Sequence, residues 1–158
     1  MLDICVEKLN TGSWKWFNLD KVGADEIQEW LNGQEWEIVD IEGGNTLYRE
    51  LRYMPFEKIK ELNRMIEDEQ HLQIAIKILE RGIVNNLEEA LKYEDYRIWN
   101  NCRSMEDVAQ EWYEETGQLK ELKKYIDIDY IDWERIGRDL EIEGTFIQLN
   151  NDTYLEIL

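Results

Sequence analysis

The chain reads as α+β, with short alternating strands near both ends and amphipathic helices between them. Three observations predict this class. Asn10-Thr11-Gly12 lies between two alternating segments, which is a hairpin signal. From Pro55 to Leu91, apolar residues recur three and four apart, the spacing of one helix face. Asn150-Asn151-Asp152 then separates two further alternating runs, a closing hairpin.

Taken in order, residues 3–9 and 13–19 are expected as strands, with Trp14 and Trp16 on one face of the second and Lys15 on the other. Asp25 to Asn32 is expected as a helix, since Ile27, Trp30 and Leu31 share a face and Gly33 can end it. Trp36 to Ile41 alternates as a strand, which puts Trp36, Ile38 and Asp40 on one side. A Gly43-Gly44-Asn45 turn follows, and Tyr48 to Met54 is ambiguous, with a further short strand as one reading. Pro55 fits the first turn of a helix, because its fixed φ suits that position and its missing N–H costs nothing there. Ile59, Leu62, Met65 and Ile66 mark that helix. Leu72, Ile76 and Leu79 mark a second, which Gly82 ends, and Asn86 can cap a third holding Leu87, Ala90 and Leu91. Tyr96 to Trp99 reads as a strand. Ser104-x-x-Asp107 is a capping-box start for a helix with Met105, Val108, Ala109, Trp112 and Tyr113 in one stripe and Gly117 at its end. Short helices are expected around Leu119–Tyr125 and Asp132–Leu140, then strands over 145–149 and 154–158. Three small subdomains follow: 1–53 as a ββαβ-type antiparallel sheet with one helix, 54–103 as a central helical part, and 104–158 as helices plus a β-hairpin.

Charge narrows the function classes. The 158 residues hold 36 Asp and Glu against 18 Lys and Arg, a net charge of −18. Phosphate contacts require Lys and Arg, so direct nucleic-acid binding is not expected, and the same sign opposes attachment to anionic membranes. Seven Trp and eight Tyr exclude a disordered acidic tail. The start, MLDICVEKLN, lacks a basic segment followed by an apolar run, and no apolar stretch is long enough to span a bilayer, so a cytoplasmic chain is expected. Cys5 and Cys102 are expected as buried thiols rather than a disulfide. His71 is the single histidine and has no second ligand at metal spacing, and neither Ser13 nor Ser104 sits in a nucleophile elbow. Glycine-rich nucleotide loops and paired C-x-x-C motifs are missing as well. No enzyme activity, cofactor or metal is expected.

The excess charge is uneven. Residues 1–53 carry 11 acids and 5 bases, residues 54–103 carry 10 and 8, and residues 104–158 carry 15 and 5. The helix after Ser104 shows Glu106, Asp107, Glu111, Glu114 and Glu115. Its Asp107–Glu111 and Glu111–Glu115 pairs are like charges four apart, each costing about 0.2–0.5 kcal/mol. Glu114 and Glu115 also occupy the last turn, where the helix dipole favours cations. Beyond it, Asp127, Asp129, Asp132 and Glu134 interleave with bulky apolar residues, and Asp139, Glu141 and Glu143 extend the series. If that stretch is extended, Asp127 and Asp129 project to one side roughly 6.6 Å apart, of the order of the spacing of phosphates along a strand. A calcium loop is the rival reading, although it lacks Gly at its sixth position and Glu at its twelfth. Duplex DNA carries one charge per ~1.7 Å, so the net charge corresponds to roughly 30 Å of duplex. Such a surface suits a basic DNA-binding channel.

The segment from Val108 to Phe146 resembles the ArdA antirestriction family. The resemblance rests on Glu114-Glu115-Thr116-Gly117-x-Leu119, Tyr125-Ile126-Asp127, Gly137-Arg138-Asp139-Leu140 and Gly144-Thr145-Phe146 in that order. Weaker likeness lies in Trp36-Glu37-Ile38-x-Asp40-x-Glu42-Gly43 and Gly12-x-Trp14. It implies an elongated, acidic DNA mimic carried by plasmids, transposons or phages, acting in the cytoplasm of a bacterial host as a homodimer. The implied partner is the DNA-binding groove of a type I restriction-modification enzyme. The carboxylates from Glu106 to Glu143 named above would stand in for phosphates, and Trp112 and Tyr113 are candidate dimer contacts. The family's antirestriction segment would fall near Leu119 to Asp129. Here that stretch is short, lacks proline and carries Lys120, Lys123 and Lys124, which would serve the dimer or an ion pair within the chain. Two other readings stay open: an acidic inhibitor of another basic defence protein (a CRISPR effector, nuclease or toxin), and a hydrolase built on a carboxylate pair.

Overall fold

The structure is a computed structural model that describes residues 1–144 and 146–158. The described residues form eight α-helices, one 3-10 turn and six strands in two three-stranded antiparallel sheets, the α+β class expected. By its internal contacts the chain divides into two compact units, Met1–Tyr93 and Glu94–Leu158.

In the first unit, β1 (Asp3–Lys8) is the central strand between β2 (Ser13–Asn18) and β3 (Trp36–Ile41). Ile4, Val6 and Phe17 alternate onto the buried face. The sequence reading put Ile38 and Asp40 on one face of β3, and the structure corrects this. A register shift pairs Val6 with Ile38 and Cys5 with Asp40, so Val39 is the extra residue. The bulge buries both Ile38 and Ile41 while Asp40 stays exposed. Helix α1 (Ala24–Leu31) buries Ile27 and Leu31 and ends on Asn32 and Gly33, both left-handed.

Helix α2 (Asn45–Leu51) takes up the first residues of the ambiguous stretch Tyr48–Met54, for which a short strand was one reading. Leu47 and Leu51 lie four apart and are both fully buried, and Thr46 Oγ1 donates to Glu80 Oε1 at 2.8 Å. Pro55 is the N-cap of α3 (Phe56–Met65), whose Phe56 ring stacks on Trp36 with centroids 4.1 Å apart. In α4 (Glu69–Glu80) the buried stripe is Leu72, Ile74, Ala75 and Ile78, so Ile76 and Leu79 are only half-buried and the expected face is rotated. Asn86 caps α5 (Leu87–Leu91) by accepting from Glu89 N at 2.9 Å. Asn63 is buried and satisfied, since its Oδ1 accepts from Leu2 N at 2.7 Å and its Nδ2 donates to Asp20 at 2.8 Å.

In the second unit, β4 (Tyr96–Asn100) and β5 (Phe146–Asn150) flank β6 (Thr153–Ile157). The expected boundary at 103/104 therefore runs inside this unit, because β4 finds its partner more than fifty residues later. Thr145, expected in the closing hairpin, lies outside the described residues. Helices α6 (Met105–Glu115), α7 (Gln118–Leu122) and α8 (Trp133–Glu143) complete the unit. One apolar cluster gathers Trp99, Cys102, Met105, Val108 and Tyr154, and another gathers Ala109, Leu119 and Trp133.

Candidate functional site

The acidic surface is built on α6, α8 and the segment between them. Ser104 starts α6 by a reciprocal cap: its Oγ accepts from Asp107 N at 3.3 Å, and Asp107 Oδ2 accepts from Ser104 N at 3.1 Å and Arg103 N at 2.7 Å. The Met105, Val108 and Ala109 side faces the core, which turns Glu106, Glu111, Glu114 and Glu115 to solvent. On α8, Trp133 and Gly137 face inward and Glu134, Asp139, Glu141 and Glu143 face solvent. A Cβ built on Gly137 would stand 2.5 Å from Met105 O, so the backbones of α6 and α8 approach directly at this crossing.

The twelve carboxylates expected at the site differ in what they already do. Eleven are exposed, and Asp107 is half-buried. Asp107, Asp127 and Asp132 each cap a turn. Asp132 accepts from Arg135 N at 3.0 Å, and Asp127 accepts from Asp129 N at 3.3 Å. The second bond caps a 3-10 turn, η1 (Ile128–Tyr130), closed by Tyr130 N donating to Asp127 O at 3.0 Å, which corrects the extended reading of this stretch. An aspartate oxygen can replace a backbone acceptor two residues on, so the chain turns here and the 6.6 Å strand spacing does not apply. Glu115 pairs with Arg97 at 3.6 Å and Glu134 with Arg138 at 3.0 Å. Glu106, Glu111, Glu114, Asp129, Asp139, Glu141 and Glu143 have no cationic partner among the described residues.

The field of these acids reaches the core beneath. Burial first, and then the charges of Glu111 and Asp107, push the Cys102 thiol up to about 11. Tyr154 is raised by burial and then by Glu141 and Asp107. Trp112 and Tyr113 are half-buried and engaged within the unit: their rings meet edge to face at 5.2 Å, and Tyr113 meets Trp133 at 5.6 Å. Of the three lysines near α7, Lys124 pairs with Glu121 at 2.6 Å.

Sequence reading missed an open groove of about 600 Å³ beside α7, lined in part by Tyr113, Leu122, Ile126, Ile131 and Ile136. Glu121 is its single carboxylate, which leaves no acid pair there for glycoside hydrolysis. It also missed the exposure of Trp14, Trp16, Tyr125 and Tyr130, since alternation marks a face without saying whether anything covers it. Among the described residues, no group of three His, Cys, Asp or Glu could hold a metal ion, and no helix is long and apolar enough to cross a membrane.

No curated protein matches the chain. A family model for antirestriction protein (ArdA) matches residues 5–155, nearly the full length and both units. A match of that extent assigns the acidic chain described above to the ArdA antirestriction family.

Proposed function

We propose that the protein inhibits type I restriction-modification enzymes by occupying their DNA-binding groove, with carboxylates in place of phosphates. The observation that carries this reading is the state of the α6 and α8 carboxylates. They are held outward on packed helices, mostly without cations, although the like-charge pairs on α6 destabilise it. A surface selected only for stability would place Lys or Arg in the last turn of α6, where Glu114 and Glu115 stand. Binding a basic groove relieves that repulsion and releases the counterions the groove would otherwise exchange with DNA. Competition of this kind is electrostatic and carries no chemistry. The homodimer that the resemblance implies would join two such surfaces, with Trp112 and Tyr113 near the contact.

The test is displacement. A type I methyltransferase bound to labelled DNA is titrated with the protein across a salt series. Displacement at low salt that weakens steeply as salt rises is the expected result. No displacement at low salt overturns the reading, and displacement of a CRISPR effector or nuclease in its place would redirect it to another basic defence protein.

A further inference from the structure

The outer face of the first sheet has no part in the surface described above, and it is unusual in three ways. First, it exposes two large aromatics side by side on an edge strand: Trp14 is 65% and Trp16 42% exposed. Second, the neighbouring strands carry carboxylates in the same rows. Trp14 is opposite Glu7, which is opposite Glu37, and Trp16 is opposite Cys5, which is opposite Asp40. Glu7 and Glu37 are thus like charges directly across a strand pair, an arrangement that destabilises a sheet. Burial, and then the charges of Asp40 and Glu7, raise the Cys5 thiol between them.

Third, the hairpin brings no cation to this face, because Lys8 and Lys15 alternate to the opposite one. The two lysines of the hairpin are engaged on other rings, Lys8 over Trp30 at 4.3 Å and Lys15 over Phe17 at 5.1 Å. Among the described residues no cation lies over Trp14 or Trp16, and no ion pair includes Glu7, Glu37 or Asp40. Guanidinium satisfies both halves of such a face. It stacks flat on an indole and presents a fork of N–H donors to a carboxylate beside it. An ammonium group fits less well, because it is a strongly hydrated point charge without a planar face. Nucleic-acid bases could stack on the same indoles, but the phosphates joining them would meet three carboxylates.

We propose that the outer face of β2, β1 and β3 is a docking surface for an arginine-bearing protein segment, with Trp14 and Trp16 stacking on guanidinium groups paired to Glu7, Glu37 and Asp40. This surface is independent of the restriction-enzyme reading: a chain that displaced no DNA would still carry it. The test uses the full chain with fluorescently labelled octa-arginine and octa-lysine, followed by anisotropy in about 0.15 M salt, where distant surface charges are largely screened. Octa-arginine should bind several-fold tighter than octa-lysine, because guanidinium adds a planar stacking face and a fork of donors to the charge the two share. The double variant Trp14→Ala, Trp16→Ala should narrow the difference between the two peptides, since only the fork to the carboxylates remains. The double variant Glu7→Gln, Glu37→Gln should weaken both peptides while folding at least as well as the parent, since it removes a cross-strand repulsion. Glu111→Gln with Glu114→Gln, in the other unit, should leave the preference for arginine intact. Equal binding of the two peptides by the parent, a preference undiminished by loss of both tryptophans, or tighter binding of a labelled oligothymidylate would each overturn the proposal.

Discussion

Gly137 meets Met105 backbone to backbone: a Cβ at Gly137 would lie 2.5 Å from Met105 O and 2.6 Å from its carbonyl carbon. This crossing fixes α6 against α8, and with it the two rows of outward carboxylates. Backbone cannot swing aside as a flexible side-chain end can, so Gly137→Ala should destabilise the protein by about 1–3 kcal/mol, the range for overpacking. Urea unfolding monitored on the second unit measures it. Wild-type stability in the variant would mean that the helices separate at no cost.

Helix α6 should respond in opposite directions to two substitutions. Ser104→Ala removes the acceptor for Asp107 N and should cost about 0.5–2 kcal/mol. Glu111→Gln removes both like-charge pairs and should stabilise by about 0.2–0.5 kcal/mol per pair. The same Glu111→Gln change should weaken displacement of DNA from a type I methyltransferase. Gain of stability with loss of inhibition is the signature of a surface kept for a partner, and a change in stability alone would place the active carboxylates elsewhere.

Acid stability should depend on Glu88. Lys58 and Lys92, at 2.6 Å each, hold its carboxyl down at about 2, against an ordinary 4.5. The unfolded chain therefore takes up this proton first. The stabilisation is complete above about pH 4.5 and is lost as the pH falls toward 2. Glu88→Gln should lower Tm at neutral pH and flatten its fall between pH 4.5 and 2. Parallel Tm profiles for the two proteins would show that the lysine pairs do not act on stability.

The two cysteines should report the two units separately. Cys5 is 5% and Cys102 1% exposed, and burial raises both thiols, Cys102 to about 11. Alkylation needs the thiolate and access to it, so neither should react with iodoacetamide at pH 8 until its own unit opens. Mass spectrometry of labelled peptides along a urea series gives two curves. Labelling of Cys102 in native buffer at its unfolded rate would contradict the buried cluster around it.

Much was legible from residue chemistry acting over one turn. Asn10-Thr11-Gly12 does join two strands, Ser104 and Asn86 do cap helices, and Gly33, Gly82 and Gly117 do stand where helices end, all with positive φ. The i, i+4 pair Leu47–Leu51 carries the helical signal that resolves the ambiguity of 48–54 over its first residues. The acidic excess and the ordered motifs from Glu114 to Phe146 pointed to the family that matches residues 5–155. Such features need only an amide, a hydroxyl or a missing Cβ at one place, and the sequence alone determines them.

Tertiary structure decided whatever depends on distant partners. The bulge at Val39 exists because β1 must receive both Ile38 and Ile41 on its buried face, and the α4 stripe is rotated to suit the helices packed on it. Tyr96–Asn100 becomes the edge of a sheet only when β6 arrives to pair with it. Long-range burial also decides which of the many acids stay unpaired, since Arg97 reaches Glu115 from another element while Glu111 and Glu114 meet no cation. Charge in a sequence is a sum, and its arrangement on a surface follows from packing.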